Sequence, residues 1–154
     1  MNLLFDTNVI LYYLTKHSWA SQLDQALKPF EKPQLAIISI VTEAEIKSLA
    51  IQRGWGDKKL NQLDEFLSLF LKVPIQSKDL IEAYSLIDSY SQHKNGAHSY
   101  PKNFTSKNMG KNDIWIAATA KVTNALLITN DNDFDHLNDS FIKVFSLNKE
   151  FGKK

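Results

Sequence analysis

Short apolar runs alternate with longer stretches of helical periodicity along this chain. Leu3-Leu4-Phe5 has the length and character of a buried strand and stops at Asp6. A helical pattern follows over residues 9–14. A second polar–apolar stretch covers 18–27, and Pro29 and Pro33 punctuate the chain behind it. Residues 35–38 predict a second strand, with Ser39 as cap of a helix that starts at Ile40 and ends near Gly54. Asp57 opens the next helix, where Leu60, Leu63, Phe66, Leu67 and Phe70 recur at helical spacing and form one apolar face. Residues 73–75 suit a short strand, and Ser77 caps a helix containing Leu80, Ile81, Tyr84 and Ile87. Asn112-Asp113 opens the segment IWIAATA, which is apolar all round and therefore predicts a deeply buried helix. Residues 125–128 form another buried strand, and residues 141–145 the last.

Alternation of this kind, with apolar strands, predicts an α/β fold on a mainly parallel central sheet. Its 154 residues suffice for one domain with a full core, so the expectation is a single domain over 1–154. Residues 89–112 stand apart. They hold four lysines, two histidines and no acidic residue, which reads as a long basic loop inserted at about 93–111. Elsewhere charge is balanced: the formal net charge is +1, so contact with nucleic acid has to come from such local charge. Tyr100 and Phe104 lie among Lys94, Lys102, Lys107 and Lys111, a mixture that can follow a phosphate backbone and stack unpaired bases; a solvated, mobile loop is the plainer reading.

Cysteine is absent, which removes disulfides, thiolate metal sites and a cysteine nucleophile, and fits a reducing cytoplasm. The N-terminal stretch shows no cleavable signal pattern and no run long enough to cross a bilayer, so the expected location is cytoplasmic, without membrane contact.

Four carboxylates stand at related places in this pattern. Asp6 follows the first strand, Asp131 follows a later one, and Asp113 begins the buried helix. In open parallel sheets, sites form outside the carboxyl ends of the strands, where the strand order reverses. Glu45 is the fourth. With Val41 at 0° on a helical wheel, Glu45 falls at about 40° and Leu49 at about 80°, inside the apolar stripe, while Glu43 falls at about 200°, at its far margin. A carboxylate on a buried face is costly unless its charge is compensated, and a metal ion would compensate it. Capping explains any one of the aspartates equally well, and Glu45 could pair with Lys47 or a histidine. The set is what points to one site. Oxygen-only ligands suit hard divalent cations such as Mg²⁺ and Mn²⁺. His17, His93, His98 and His136 read as surface or turn residues.

The segments carrying these residues, Asp6-Thr7-Asn8, ISIVTEAEI at 38–46, NDIWIAATA at 112–120 and LITNDNDF at 127–134, resemble in order and spacing the four motifs of PIN domains. The likeness covers nearly the whole chain and is nearest to the VapC-type toxins of bacterial toxin–antitoxin pairs. It implies a three-layer α/β/α fold, Mg²⁺ or Mn²⁺ dependence, cleavage of RNA, a homodimer, and a small antitoxin partner that blocks the site. The family's acidic quartet falls on Asp6, Glu45, Asp113 and Asp131, with Asp133 as the alternative to Asp131. Thr7, Asn8 and Thr129 match positions that support the metal site. The stretch from His93 to Lys111 is longer than the family's usual connection.

Three other readings compete. A catalytically silent member of the fold would act as an RNA- or protein-binding module, but acidic residues stand in all four motifs. A phosphatase of the haloacid dehalogenase type needs a second Asp two residues after the first, where this chain has Asn8. A receiver domain needs an acidic pair near the first strand, where only Asp6 is acidic.

Overall fold

The computed structural model describes residues 1–152; the last two residues of the expected domain lie outside the described residues. Five strands form one sheet: β1 (Asn2–Phe5), β2 (Leu35–Ser39), β3 (Leu71–Val73), β4 (Leu126–Thr129) and β5 (Lys143–Ser146). Their order is β3-β2-β1-β4-β5, and every neighbouring pair is parallel. The chain lays down β2 and β3 on one side of β1, then crosses to add β4 and β5 on the other. The strand order thus reverses between β1 and β4, where open sheets of this kind build their sites.

Side chains of a strand point alternately to the two faces, and here both faces are covered. Leu4, Ile37 and Leu127 face α5 (Lys78–Ser91) and α6 (Lys111–Val122). Leu3, Phe5, Ala36, Ile38 and Ile128 face α1 (Thr7–Leu14), α2 (Ser18–Leu27), α3 (Ile40–Gln52), α4 (Asp57–Leu67) and α7 (Leu147–Phe151). The architecture is the three-layer α/β/α fold. Burial on both faces is why these strands read as continuous apolar runs. Truncating Leu4, which is wholly buried between β1 and α6, should cost about 2–5 kcal/mol. Among the described residues no helix is long and apolar enough to cross a membrane.

Several expected boundaries move. The third strand is Leu71–Val73 rather than 73–75, because its register is set by pairing Ile37 with Leu71 and Ser39 with Val73. The last strand starts at Lys143, since Phe141 lies in the turn before it and Ile142 makes only an isolated bridge to Asn138. TNDNDF closes into a 3₁₀ segment, Asn132–Leu137, and α7 follows β5. The basic loop begins after Ser91, where α5 ends. It is fastened: the Lys107 N–H donates to Ser91 O at 2.6 Å, Tyr100 Oη donates to Thr105 O at 2.8 Å, and Met109 is buried. Trp19 lies in the core and Trp55 is half-buried under Lys59, so neither offers an exposed apolar face.

Candidate metal centre at the sheet edge

Asp6 leaves β1 at its carboxyl end and is 5% exposed, so its charge is fixed by neighbours rather than by water. Its Oδ1 accepts from the Thr7 N–H at 2.7 Å, which caps α1, and its Oδ2 accepts from Thr129 Oγ1 at 2.7 Å. The capping and site readings of Asp6 therefore coexist in one side chain. Register explains the second bond: Phe5 pairs with Ile128, which sets Asp6 beside Thr129, and the Asp6 N–H donates to Ile128 O at 3.0 Å. Thr129 Oγ1 also accepts from the Asp131 N–H at 2.9 Å, and Asp131 Oδ1 accepts from the Asp133 N–H at 2.9 Å, capping the 3₁₀ segment.

Asp113 stands in the first turn of α6, whose cap position is Gly110; neither Asn112 nor Asp113 caps it. Oxygens of Asp113, Asp131 and Asp133 can all lie within 4.8 Å of one another. Asp133 thus lies beside Asp131 in the same acidic cluster. Glu45 reaches the same edge through Thr7, whose hydroxyl donates to Glu45 Oε1 at 2.9 Å.

The helical wheel placed Glu45 too deep. The buried residues of α3 are Val41, Thr42, Ile46 and Ala50; Glu45 lies between Val41 and Thr42 on the wheel and Glu43 just beyond Ala50, yet both are only half-buried. Their partners separate them. Glu43 pairs with Lys47 at 2.9 Å and Lys72 at 2.7 Å, whereas Glu45 receives only a neutral hydroxyl on the site side. The two lysines hold the Glu43 carboxyl below its usual range.

The electrostatics follow from burial and crowding. Desolvation foremost lifts the Asp6 carboxyl to about 6; the bonds from Thr129 and Thr7 pull it down, and the charges of Asp131 and Glu45 push it up. Asp113 rises to about 7, again first through burial, then through Asp6, Asp131, Glu45 and Asp133. Five carboxylates thus sense one another at one edge. A hard divalent cation fits this donor set, because it is all oxygen and, among the described residues, only Lys107, 3.5 Å from Asp133, pairs with its five carboxylates.

Of the remaining expected residues, Asn8 is exposed in the first turn of α1. Lys94 and Lys102 are exposed on the loop, Lys107 pairs with Asp133 at 3.5 Å, and Lys111 sits beside Glu45 and Asp113 around a cleft. His136 is a correction: it is 1% exposed, and its Nε2 lies 2.7 Å from the buried Ser91 Oγ. Burial pushes the imidazole down to about 4. It ties the acidic 3₁₀ segment to the end of α5. Two further supports have no strong sequence signal. Tyr12 Oη receives a hydrogen bond from Asn130, and Asn148 from α7 donates to Asn130 O at 3.0 Å, bracing the turn after β4.

With this geometry in hand, comparison with known proteins places the fold. The PIN domain family model matches residues 3–139, and the chain belongs to that family. Similar solved structures include VapBC2 from Rickettsia felis bound to a DNA fragment from its promoter, at 22% identity and a TM-score of 0.73, covering 95% of this chain and 98% of the other. FitAcB from Neisseria gonorrhoeae is 26% identical with a TM-score of 0.68, over 96% and 98% of the two chains. A toxin–antitoxin complex from Klebsiella pneumoniae is 23% identical with a TM-score of 0.64, over 94% and 97%. Among curated proteins, no sequence matches.

Proposed function

We propose that this chain is a divalent-metal-dependent endoribonuclease, the toxin of a toxin–antitoxin pair, acting in the cytoplasm as a homodimer and silenced by a small antitoxin. The observation that carries the nuclease reading is the convergence of Asp6, Glu45, Asp113, Asp131 and Asp133 at the point where the strand order reverses, with Asp6 and Asp113 raised to about 6 and about 7. Membership of the PIN family and the likeness to toxin–antitoxin complexes support the toxin reading.

Asp113, Asp131 and Asp133 would hold Mg²⁺ or Mn²⁺, with Asp6 beside them and Glu45 on the flank. A bound ion of this kind supplies an acidified water as nucleophile and offsets the charge that develops on phosphate oxygens. The protein's part is orientation. Thr129 holds Asp6 in one rotamer and fixes the Asp131 backbone, and Thr7 fixes Glu45. Lys107, held against Asp133, brings a cation to the rim where an RNA phosphate would arrive. No side chain has to act as nucleophile: the buried Ser91–His136 pair points into the core, and Thr7 has no histidine partner.

The test is cleavage of a mixed tRNA and rRNA pool by the purified chain in Mn²⁺, Mg²⁺ and EDTA. The proposal expects cutting in either metal and none in EDTA. Cutting in EDTA, or none in either metal from folded protein free of antitoxin, would refute it.

A further inference from the structure

The carboxylates do not stand alone at the sheet edge. A cleft of about 520 Å³ runs along α3, lined by Val41, Ala44, Glu45, Ser48, Leu49 and Gln52 of that helix and by Thr7 and Asn112. A second, of about 480 Å³, lies between Glu45 and the start of α6 at Gly110–Asp113. The two share Glu45 and Asn112, so they form one continuous groove that opens directly onto Asp113 at one end and continues along α3 at the other.

The lining has a division of labour. Val41 and Leu49 supply an apolar wall. Gln52 and Ser48, one helical turn apart, are joined on the exposed side of the helix, with Gln52 Nε2 donating to Ser48 Oγ at 3.0 Å. Asn112 adds a second amide across the groove, next in sequence to Asp113. Amides can both donate and accept, which is what the edge of an unpaired base requires, and an apolar wall takes the base's face. Lys111 lies at the end nearest the carboxylates, where the backbone phosphate of such a nucleotide would sit. The carboxylates along the groove are Glu45, engaged by Thr7, and Asp113 at the end nearest Lys111.

We infer that this groove is a nucleotide subsite: it takes one unpaired base of a single-stranded RNA next to the cleaved phosphate, with the amides of Gln52 and Asn112 against the base edge and Val41 and Leu49 against its face. The inference rests on the nuclease reading and adds to it a substrate requirement, an unpaired nucleotide beside the cut, and a source of base preference.

The experiment uses Ser48→Phe, which fills the groove from an exposed helix position outside the carboxylate set, and Gln52→Ala, which removes one amide. Both are assayed with the wild type in Mn²⁺ on a short single-stranded RNA library and on bis(p-nitrophenyl) phosphate. The small diester needs only the carboxylates. Affinity for the same RNA is measured separately in Ca²⁺ by fluorescence anisotropy. The expected result for Ser48→Phe is about tenfold weaker RNA binding, the scale of one lost base contact, with diester cleavage unchanged. Gln52→Ala should broaden the base preference at one position beside the cut. An unchanged RNA affinity and cutting pattern in both variants overturns the inference, as does a change in sedimentation mass with the cutting pattern unchanged, which assigns the groove to protein contact. Absence of cleavage of both the RNA and the diester by the wild type refutes the nuclease reading itself and is distinguishable from both.

Discussion

Thr129 Oγ1 donates to Asp6 Oδ2 at 2.7 Å, and the same oxygen accepts from the Asp131 N–H at 2.9 Å. One hydroxyl thus joins the first acidic residue of the chain to the acidic turn after β4, across the strand-order reversal between β1 and β4. Thr129 is 1% exposed, so water cannot replace either bond. Thr129→Val keeps the shape but leaves Asp6 and the Asp131 N–H short of partners. The expected cost is about 1–3 kcal/mol in urea unfolding, with weaker Mn²⁺ binding by calorimetry, and Thr129→Ser should restore most of both. Equal losses in the valine and serine variants would assign Thr129 a packing role instead.

The raised carboxyls make a statement about stability without metal. For Asp6 and Asp113 the folded pKa lies above the unfolded value near 3.8, so between about 4 and 7 the folded state binds more protons than the unfolded one. Their contribution is fully present below pH 4 and is lost as pH rises through about 6 and 7. His136 acts in the opposite sense. Its folded pKa of about 4 lies below 6.5, so its contribution is present above 6.5 and fades as pH falls towards 4. The metal-free wild type should therefore lose stability, on balance, between pH 4 and 7. The Asp6→Asn/Asp113→Asn double variant should gain it over the same window. Chemical denaturation in EDTA at successive pH values measures both slopes, and equal slopes would contradict the assignment.

Replacing Lys102, Lys107 and Lys111 together with alanine should weaken RNA binding and flatten its salt dependence. If all three reach phosphates, the log–log slope drops by about 2, at roughly 0.7 per single-strand contact. Lys107 alone should contribute less than its neighbours to this slope, because part of its charge is already engaged by Asp133. Affinity measured over a range of KCl concentrations gives the slope, and an unchanged slope removes the loop from RNA contact.

The layers and strands were legible because burial on both faces writes itself into the sequence as apolar runs, and Ser39 and Ser77 both cap the helices they precede. The short strand at 71–73 was misplaced because Leu71 is half exposed at the sheet's edge, where pairing rather than apolar content sets the register. The acidic set was legible as a set, from position after strands. Its supports were less so. Thr129 and Thr7 bond across 123 and 38 residues of chain, which no local pattern encodes. His136 looked like a polar turn residue because one histidine in a polar run carries no period, yet its ring packs near Tyr90, Tyr100 and Phe104. On α3, periodicity set Glu45 inside the stripe and Glu43 at its margin, but the cation that engages Glu43, Lys72, comes from a strand that no local pattern links to it.

The central claim is that the buried carboxylate at the end of β1 belongs to the cutting machinery. The most direct test compares the wild type with Asp6→Asn on an RNA pool in Mn²⁺, with circular dichroism and unfolding curves alongside. Asparagine keeps the size of the side chain, retains an oxygen for the Thr7 N–H and loses the charge. The account predicts a folded variant whose cleavage is abolished. A folded Asp6→Asn protein that cuts RNA at the wild-type rate would contradict it.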